Sequence, residues 1–159
     1  MKTSNKVLTK EQLAAILPKW KTEGKIVFTN GCFDILHLGH VDYLEKARNL
    51  GQKLIVGLNT DSSVQRLKGA DRPICDESSR ARVMASLEFV DAVVLFDEET
   101  PLELISFIKP DILVKGNDYT VSSIVGADVV LKNGGSVETV PLVNGYSTTK
   151  VIKKIQQLK

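Results

Sequence analysis

Residues Thr29-Asn30-Gly31-Cys32-Phe33-Asp34-Ile35-Leu36-His37-Leu38-Gly39-His40 join two segments of different apolar period. Before them, Lys25 to Phe28 has the length and branching of a buried strand. After them, Val41, Leu44, Ala47 and Leu50 recur at helical spacing, which predicts a helix over Val41 to Leu50. The stretch is therefore a strand-to-helix turn rich in small residues. Open α/β sheets bind phosphates at such turns, because a helix N-terminus offers free N–H groups and the positive end of its dipole to an anion. His37 and His40 are the only histidines in the chain, and both fall beside this anion site. Gly39 between them removes a side chain where a ligand could approach the backbone closely. One histidine beside a turn is ordinarily a hydrogen-bonded surface residue. Two imidazoles flanking a glycine at the mouth of a helix are a stronger signal.

Composition bounds the alternatives. A chain of 159 residues makes a single domain with room for a sizeable core. Its net charge of +2 argues for neither a nucleic-acid surface nor a membrane patch. No signal peptide and no apolar run of bilayer-spanning length is evident. Cys32 and Cys75 are too few for a disulfide framework, and with two histidines they fit no zinc spacing. Free thiols predict a reducing compartment, with the cytoplasm as the expected setting.

Residues 1–24 read as a helical lead-in. Thr9 followed by Gln12 has the form of a capping box, Pro18 is expected to interrupt or kink the helix, and Gly24 ends it. From residue 25 onward strands and helices alternate. Strands are predicted at Lys25–Phe28, Lys53–Leu58, Ala92–Phe96, Ile112–Val114 and Val137–Val140. Helices are predicted at Val41–Leu50, Asp61–Leu67, Ser79–Phe89, Pro101–Ile108 (with Thr100 as cap), Ile124–Lys132 and Thr149–Leu158. This alternation predicts an α/β fold: a Rossmann-like, doubly wound, parallel five-stranded sheet with helices on both faces, over 25–159. Ligands bind such sheets at the carboxyl ends of the strands, near the switch in strand order.

Four strand-end segments carry chemistry. The first is the His37/His40 turn. The second holds Arg66, Lys68 and Arg72 around Gly69, which read either as phosphate ligands or as a solvated charged loop. The third is Lys115-Gly116-Asn117-Asp118-Tyr119, where a glycine admits a flat ligand and a carboxylate can accept ribose hydroxyls; an ordinary turn is equally compatible. The fourth is Asn144-Gly145-Tyr146-Ser147-Thr148-Thr149, whose hydroxyls can cap the last helix or join its N–H groups in binding a phosphate.

The run Gly31-Cys32-Phe33-Asp34-Ile35-Leu36-His37-Leu38-Gly39-His40 resembles the signature of the HxGH nucleotidylyltransferases, which join a nucleoside triphosphate to a phosphorylated small molecule. Ser147-Thr148-Thr149 resembles that family's helix start, and Arg80 its arginine. Gly116-Asn117-Asp118-Tyr119 is similar to a segment of the glycerol-3-phosphate cytidylyltransferases. These carry an arginine shortly before Gly-Ile-Ser-Thr-Thr, where this chain has Asn144 and Gly145. Within the family, Phe28 to Asp34, Arg66-Leu67-Lys68-Gly69, Arg72-Pro73, Val114-Lys115-Gly116 and Gly145 to Thr149 look like the adenylyltransferase domain of ADP-heptose synthases.

That resemblance implies transfer of the adenylyl group of ATP to a sugar 1-phosphate, D-glycero-beta-D-manno-heptose 1-phosphate in the narrow reading. It implies His37, His40 and Lys68 as catalytic groups. It implies nucleotide binding by Asn30, Gly31, Cys32, Phe33, Asp34, Gly39, Arg80, Lys115, Gly116, Asp118, Tyr146, Ser147, Thr148 and Thr149. Mg²⁺ is expected on the ATP phosphates, with no protein metal site. The chain has no room for the sugar kinase domain that ADP-heptose synthases often carry, so a separate kinase is the expected supplier of the acceptor; a homodimer is plausible. The alternatives are a cytidylyltransferase for glycerol 3-phosphate and a nucleotide-binding module without turnover. A metal hydrolase is disfavoured, because His37 and His40 lack carboxylate partners on a regular helix.

Overall fold

The computed structural model describes residues 2–118, 120 and 123–158. Five parallel strands form one sheet in the order β3-β2-β1-β4-β5. They are β1 (Ile26–Gly31), β2 (Lys53–Asn59), β3 (Ala92–Phe96), β4 (Ile112–Gly116) and β5 (Ser136–Val140). Around them stand α1 (Lys10–Glu23), α2 (Leu38–Arg48), α3 (Asp61–Lys68), α4 (Glu77–Ser86), α5 (Leu102–Ile108), α6 (Ala127–Lys132) and α7 (Thr148–Gln156). The expected doubly wound architecture is the one observed, and the switch in strand order lies between β1 and β4.

Alternation along each strand builds two cores. Val27, Leu54, Val56, Val93, Ile112 and Val114 face α2 and α4, where Leu44, Ala47, Met84 and Ala85 meet them. Ile26, Phe28, Ile55, Val94 and Leu113 face the other way, onto Leu13 and Leu17 of α1, Leu104, Ile105 and Ile108 of α5, and Val130 of α6. A strand buried on both faces reads as a continuous apolar run, which is why these strands were visible in the sequence.

The boundaries differ from expectation in ways that bear on the site. β1 runs three residues beyond Phe28, because β2 continues to pair with it as far as Gly31↔Leu58. α2 begins at Leu38 rather than Val41, so Gly39 and His40 lie inside its first turn. α4 begins at Glu77 under an Asp76 cap and stops at Ser86, short of Phe89. α5 is capped at Pro101 with no side-chain bond, so Thr100 is not its cap. α6 starts at Ala127, after Gly126 at φ 83°, rather than at Ile124. α7 covers Thr148–Gln156 under Ser147. The Thr9/Gln12 capping box is present in full, and α1 continues through Pro18 without interruption. Ahead of α1, a short 3₁₀ turn (Thr3–Lys6) and a parallel bridge from Val7 to Val93 dock the leading segment on β3. Tyr119 lies outside the described residues.

Candidate active site

β1 and β4 pair only at Val27↔Ile112 and Phe28↔Leu113. Beyond Phe28 the two strands part, and a crevice opens at the switch point. The Tyr43 hydroxyl, on α2, spans its base: it accepts from Thr29 Oγ1 at 2.7 Å and donates to the Val114 carbonyl at 3.0 Å. One residue further out, Lys115 Nζ donates to Asn30 Oδ1 across the same gap. Burial pushes the Lys115 ammonium down to about 8, against the pull of Asp118.

The turn after β1 is strained in order to present the histidines. Phe33 has φ 42°, a left-handed conformation that costs a bulky residue roughly 1–3 kcal/mol. Its ring folds back over Gly31, where a Cβ would lie 2.9 Å from the ring. The same ring meets His40 edge-on, with centroids 5.3 Å apart. His37 occupies the cap position of α2 without making a side-chain cap bond. Its ring stacks on His40 at 3.8 Å with the planes 17° apart. Gly39 leaves space for this, since a Cβ there would stand 3.1 Å from His37 Nδ1 and 3.2 Å from Tyr146 Cβ. The Tyr146 ring continues the column 6.2 Å beyond His37.

Both Nδ1 atoms are enclosed, and among the described residues neither has a hydrogen-bond partner. Burial first, then the neighbouring His37 and Lys68, hold His40 down to about 4; burial lowers His37 as well. Near pH 7 both rings are thus neutral, each with one donor and one acceptor nitrogen. We assign the proton to Nε2, because an enclosed lone pair is less costly than an enclosed N–H. The pair then offers N–H donors to the cavity rather than positive charge.

The cavity has a volume of about 350 Å³, within the usual range for a small-molecule site. It brings together Asn30, Gly31, Cys32, Phe33, Asp34, His37, Gly39, His40, Lys68, Lys115, Gly116, Asp118 and the Tyr146–Thr149 segment. The walls differ in character. On the β4–β5 side stand Lys115, Gly116, Asp118, Leu142, Val143 and Tyr146; on the side toward β2 stand Asp34, Lys68 and Arg72. The starts of α2 and α7 meet between them. Ser147 caps α7 by accepting from Lys150 N, and the Thr148 and Thr149 N–H groups ahead of it are the ones a helix start offers to an anion. Burial raises the Cys32 thiol, against the opposing charges of Lys68, Arg80 and Arg72, and so favours its protonated form.

Arg80 is the correction. Its side chain is 0% exposed and does not line the cavity. The guanidinium donates to the carbonyls of Cys75 and Cys32 and to Asp61 Oδ1, at 2.9, 2.7 and 2.7 Å. It ties the end of β1 to α3 and to the loop before α4, and these bonds hold it behind the cavity wall. Arg66 likewise turns away, onto Asp97. Asp34 lines the cavity, yet its carboxylate is spent on Arg72 Nε and on the backbone N–H groups of Ile74 and Cys75, at 2.7–2.9 Å. Burial works to raise the Asp34 carboxyl, but those three donors outweigh it and hold it below the usual range. Asp34 is thus held in the wall by its protein partners, with its side chain almost wholly buried.

Tyr43, Leu142 and Val143 were missed as lining residues. The spacing of Tyr43, three residues after His40 and so on the same helix face, could have found it; Leu142 and Val143 carry no signal beyond following β5. Among the described residues no group of three His, Cys, Asp or Glu could hold a metal ion.

A family model for cytidylyltransferase-like proteins matches residues 28–154. The Bifunctional protein HldE of Geotalea uraniireducens (strain Rf4) is 56% identical over 152 residues, 95% of this chain and 31% of that protein. The Bifunctional protein HldE of Campylobacter jejuni subsp. jejuni serotype O:6 is 56% identical over 154 residues, 97% of this chain and 32% of that protein. The chain thus spans about a third of these curated relatives. Among solved structures, the lipopolysaccharide core biosynthesis protein from Thermoplasma volcanium GSS1 aligns with TM-score 0.61 and 34% identity, over 78% of this chain and 99% of that one. Pantoate-beta-alanine ligase from Francisella tularensis aligns with TM-score 0.62 over 96% of this chain and 78% of that one, at 14% identity, a likeness of fold alone.

Proposed function

The chain belongs to the cytidylyltransferase-like family, and from that premise we propose that it transfers the adenylyl group of ATP to a sugar 1-phosphate, giving a nucleoside-diphosphate sugar and pyrophosphate. The acceptor in this reading is D-glycero-beta-D-manno-heptose 1-phosphate and the product ADP-heptose. The observation that carries the reading is the convergence of two helix starts, α2 and α7, with the stacked His37/His40 pair and Lys68 on one cavity at the switch point. The heptose acceptor is supported by the likeness of residues 28–34, 66–69, 72–73 and 145–149 to ADP-heptose synthases, a likeness that runs through the whole site.

A phosphate oxygen of the acceptor attacks the α-phosphorus of ATP. The new P–O bond forms as the bond to the bridging oxygen of pyrophosphate breaks, and pyrophosphate leaves with the electron pair. The nucleophile is already ionised, so no general base is required. Neutral imidazoles suit such a step, since they would only have to donate. Nε2–H of His40 stabilises charge at the α-phosphate, and His37 holds the neighbouring phosphate. The α7 start cradles the β/γ end, and Lys68 closes over the chain of phosphates. Lys115, Gly116 and Asp118 take the nucleoside on the β4–β5 wall. Mg²⁺, when bound with the triphosphate, supplies charge neutralisation across its oxygens. In this reading residues 25–159 carry the transfer chemistry and residues 1–24 cover the sheet. The setting is the cytoplasm, and a homodimer is compatible with the fold. No described helix is long and apolar enough to cross a membrane.

The test is pyrophosphate release with Mg²⁺, pairing ATP or CTP with heptose 1-phosphate, hexose 1-phosphates or glycerol 3-phosphate. Turnover confined to ATP with heptose 1-phosphate is expected. Turnover with CTP and glycerol 3-phosphate instead would overturn the substrate assignment.

A further inference from the structure

Two polyanions must meet in this cavity, and the groups above account for only one of them. On the wall toward β2, Arg72 presents a cation held in place before any ligand arrives. Its Nε donates to Asp34 Oδ2 at 2.7 Å, and the Asp34 side chain is 1% exposed. The Asp34 carboxylate has no further freedom, since the N–H groups of Ile74 and Cys75 fix it from the other side. Arg72 itself is only 15% exposed, and among the described residues no hydrogen bond engages its Nη1 or Nη2. A mostly buried guanidinium with its outer edge facing a cavity is an incomplete ion pair. It matches a planar or tetrahedral oxyanion that can take both remaining nitrogens at once.

We infer that Arg72 is the anchor for the phosphate monoester of the acceptor, a subsite separate from the triphosphate cradle; the identity of the ligand as the acceptor rests on the adenylyl-transfer reading. Topology decides between the two anions. In that reading the nucleoside groups follow β4 and the triphosphate groups stand at the starts of α2 and α7 with Lys68 reaching over from the end of α3, whereas Arg72, also on the cavity lining, follows α3 and is tied to Asp34 in the turn after β1. In-line displacement requires the acceptor phosphate to enter from the face away from the leaving pyrophosphate, so the step needs an anion anchor apart from the triphosphate cradle, the part Arg72 would play. Rigidity matters here. Lys68, on the last turn of α3, is exposed and can follow a ligand, whereas Arg72 is pinned and sets the approach.

The test uses the full chain with Arg72→Met and Arg72→Lys, reading acceptor KM at saturating ATP, ATP Kd without acceptor, and the thermal midpoint. Loss of a charge-assisted fork should raise acceptor KM by about tenfold to a hundredfold, leave ATP Kd unchanged, and be partly restored by lysine. An unchanged acceptor KM, or an ATP Kd that rises in parallel, would overturn the assignment. A fall in thermal midpoint with unaltered constants would reduce Arg72 to a structural partner of Asp34. Binding of inorganic phosphate to protein saturated with α,β-methylene-ATP separates this inference from the activity. If no sugar 1-phosphate turns over but phosphate binding still depends on Arg72, the activity falls and the anion site stands. If phosphate binds Arg72→Met as it binds the natural chain, the site falls.

Discussion

At the scale of single residues, His40 is placed by three neighbours: the Phe33 edge beneath it, the His37 face beside it, and the helix that carries it. His40→Ala removes one donor aimed at developing charge, which should lower kcat by roughly 10²–10³-fold, with circular dichroism and melting unchanged. Unaltered turnover in the folded variant would remove His40 from the chemistry. The ionisation of the site gives a second expectation. His40 is held down to about 4, so it stays neutral from pH 6 upward and contributes no inflection to the rate near neutrality. Lys115 is held down to about 8, so the free protein loses that cation as pH rises through this value. A bound triphosphate favours the charged form, so nucleotide binding takes up a proton above pH 8, and ATP affinity should fall there while staying level between pH 6 and 7.5. Lys115→Met should abolish the alkaline limb. The place of the histidines on the cavity was legible in the sequence, because His37 and His40 are the only histidines and sit in a recognisable run. The role of Arg80 was not legible. An arginine buried to complete a backbone junction has the same letter as one that binds phosphate, and only the positions of the Cys32 and Cys75 carbonyls tell them apart.

At the scale of elements, the α2 start joins local backbone to function. Its first turn admits a glycine against helix propensity, since glycine costs about 1 kcal/mol relative to alanine in a helix. Gly39→Ala should therefore leave thermal stability near or slightly above that of the natural chain. The added methyl meets His37 Nδ1 and Tyr146 Cβ at 3.1 and 3.2 Å, displacing the imidazole stack and the approach to α7. A displacement of this kind is expected to cost on the order of 10²-fold in kcat/KM. Steady-state kinetics beside a melting curve checks both halves, and a stable variant with full activity would contradict the packing account. The sequence placed this helix three residues late, because Leu38, Gly39 and His40 lack the apolar period by which helices are read. Function had replaced pattern in that turn. The same reason explains β1, whose last residues Thr29, Asn30 and Gly31 serve the crevice and do not look like strand.

At the scale of the whole molecule, the order β3-β2-β1-β4-β5 makes the site, since parting β1 from β4 is what opens the crevice. Alternation of strands and helices predicted the parallel sheet. Which strands would be neighbours, and so which loops would meet, follows from tertiary pairing that no local pattern encodes. Arg80 is the fastening of that assembly on the β2 side. Arg80→Met leaves the Cys32 and Cys75 carbonyls without their buried donor and Asp61 without its partner, a loss of about 2–4 kcal/mol. Urea unfolding should show it as a lower midpoint, whereas a change under about 1 kcal/mol would mean the junction holds without the guanidinium. The leading helix α1 belongs to this scale too: Leu13 and Leu17 are core residues of the second face.

The central claim is that the α-phosphorus of ATP passes to a sugar 1-phosphate. Incubating the protein and Mg²⁺ with heptose 1-phosphate and ATP labelled at the α-phosphorus tests it most directly. The account predicts label in a nucleoside-diphosphate sugar and unlabelled pyrophosphate in equal amount. Label left in ATP, or released as AMP without a sugar product, would contradict it.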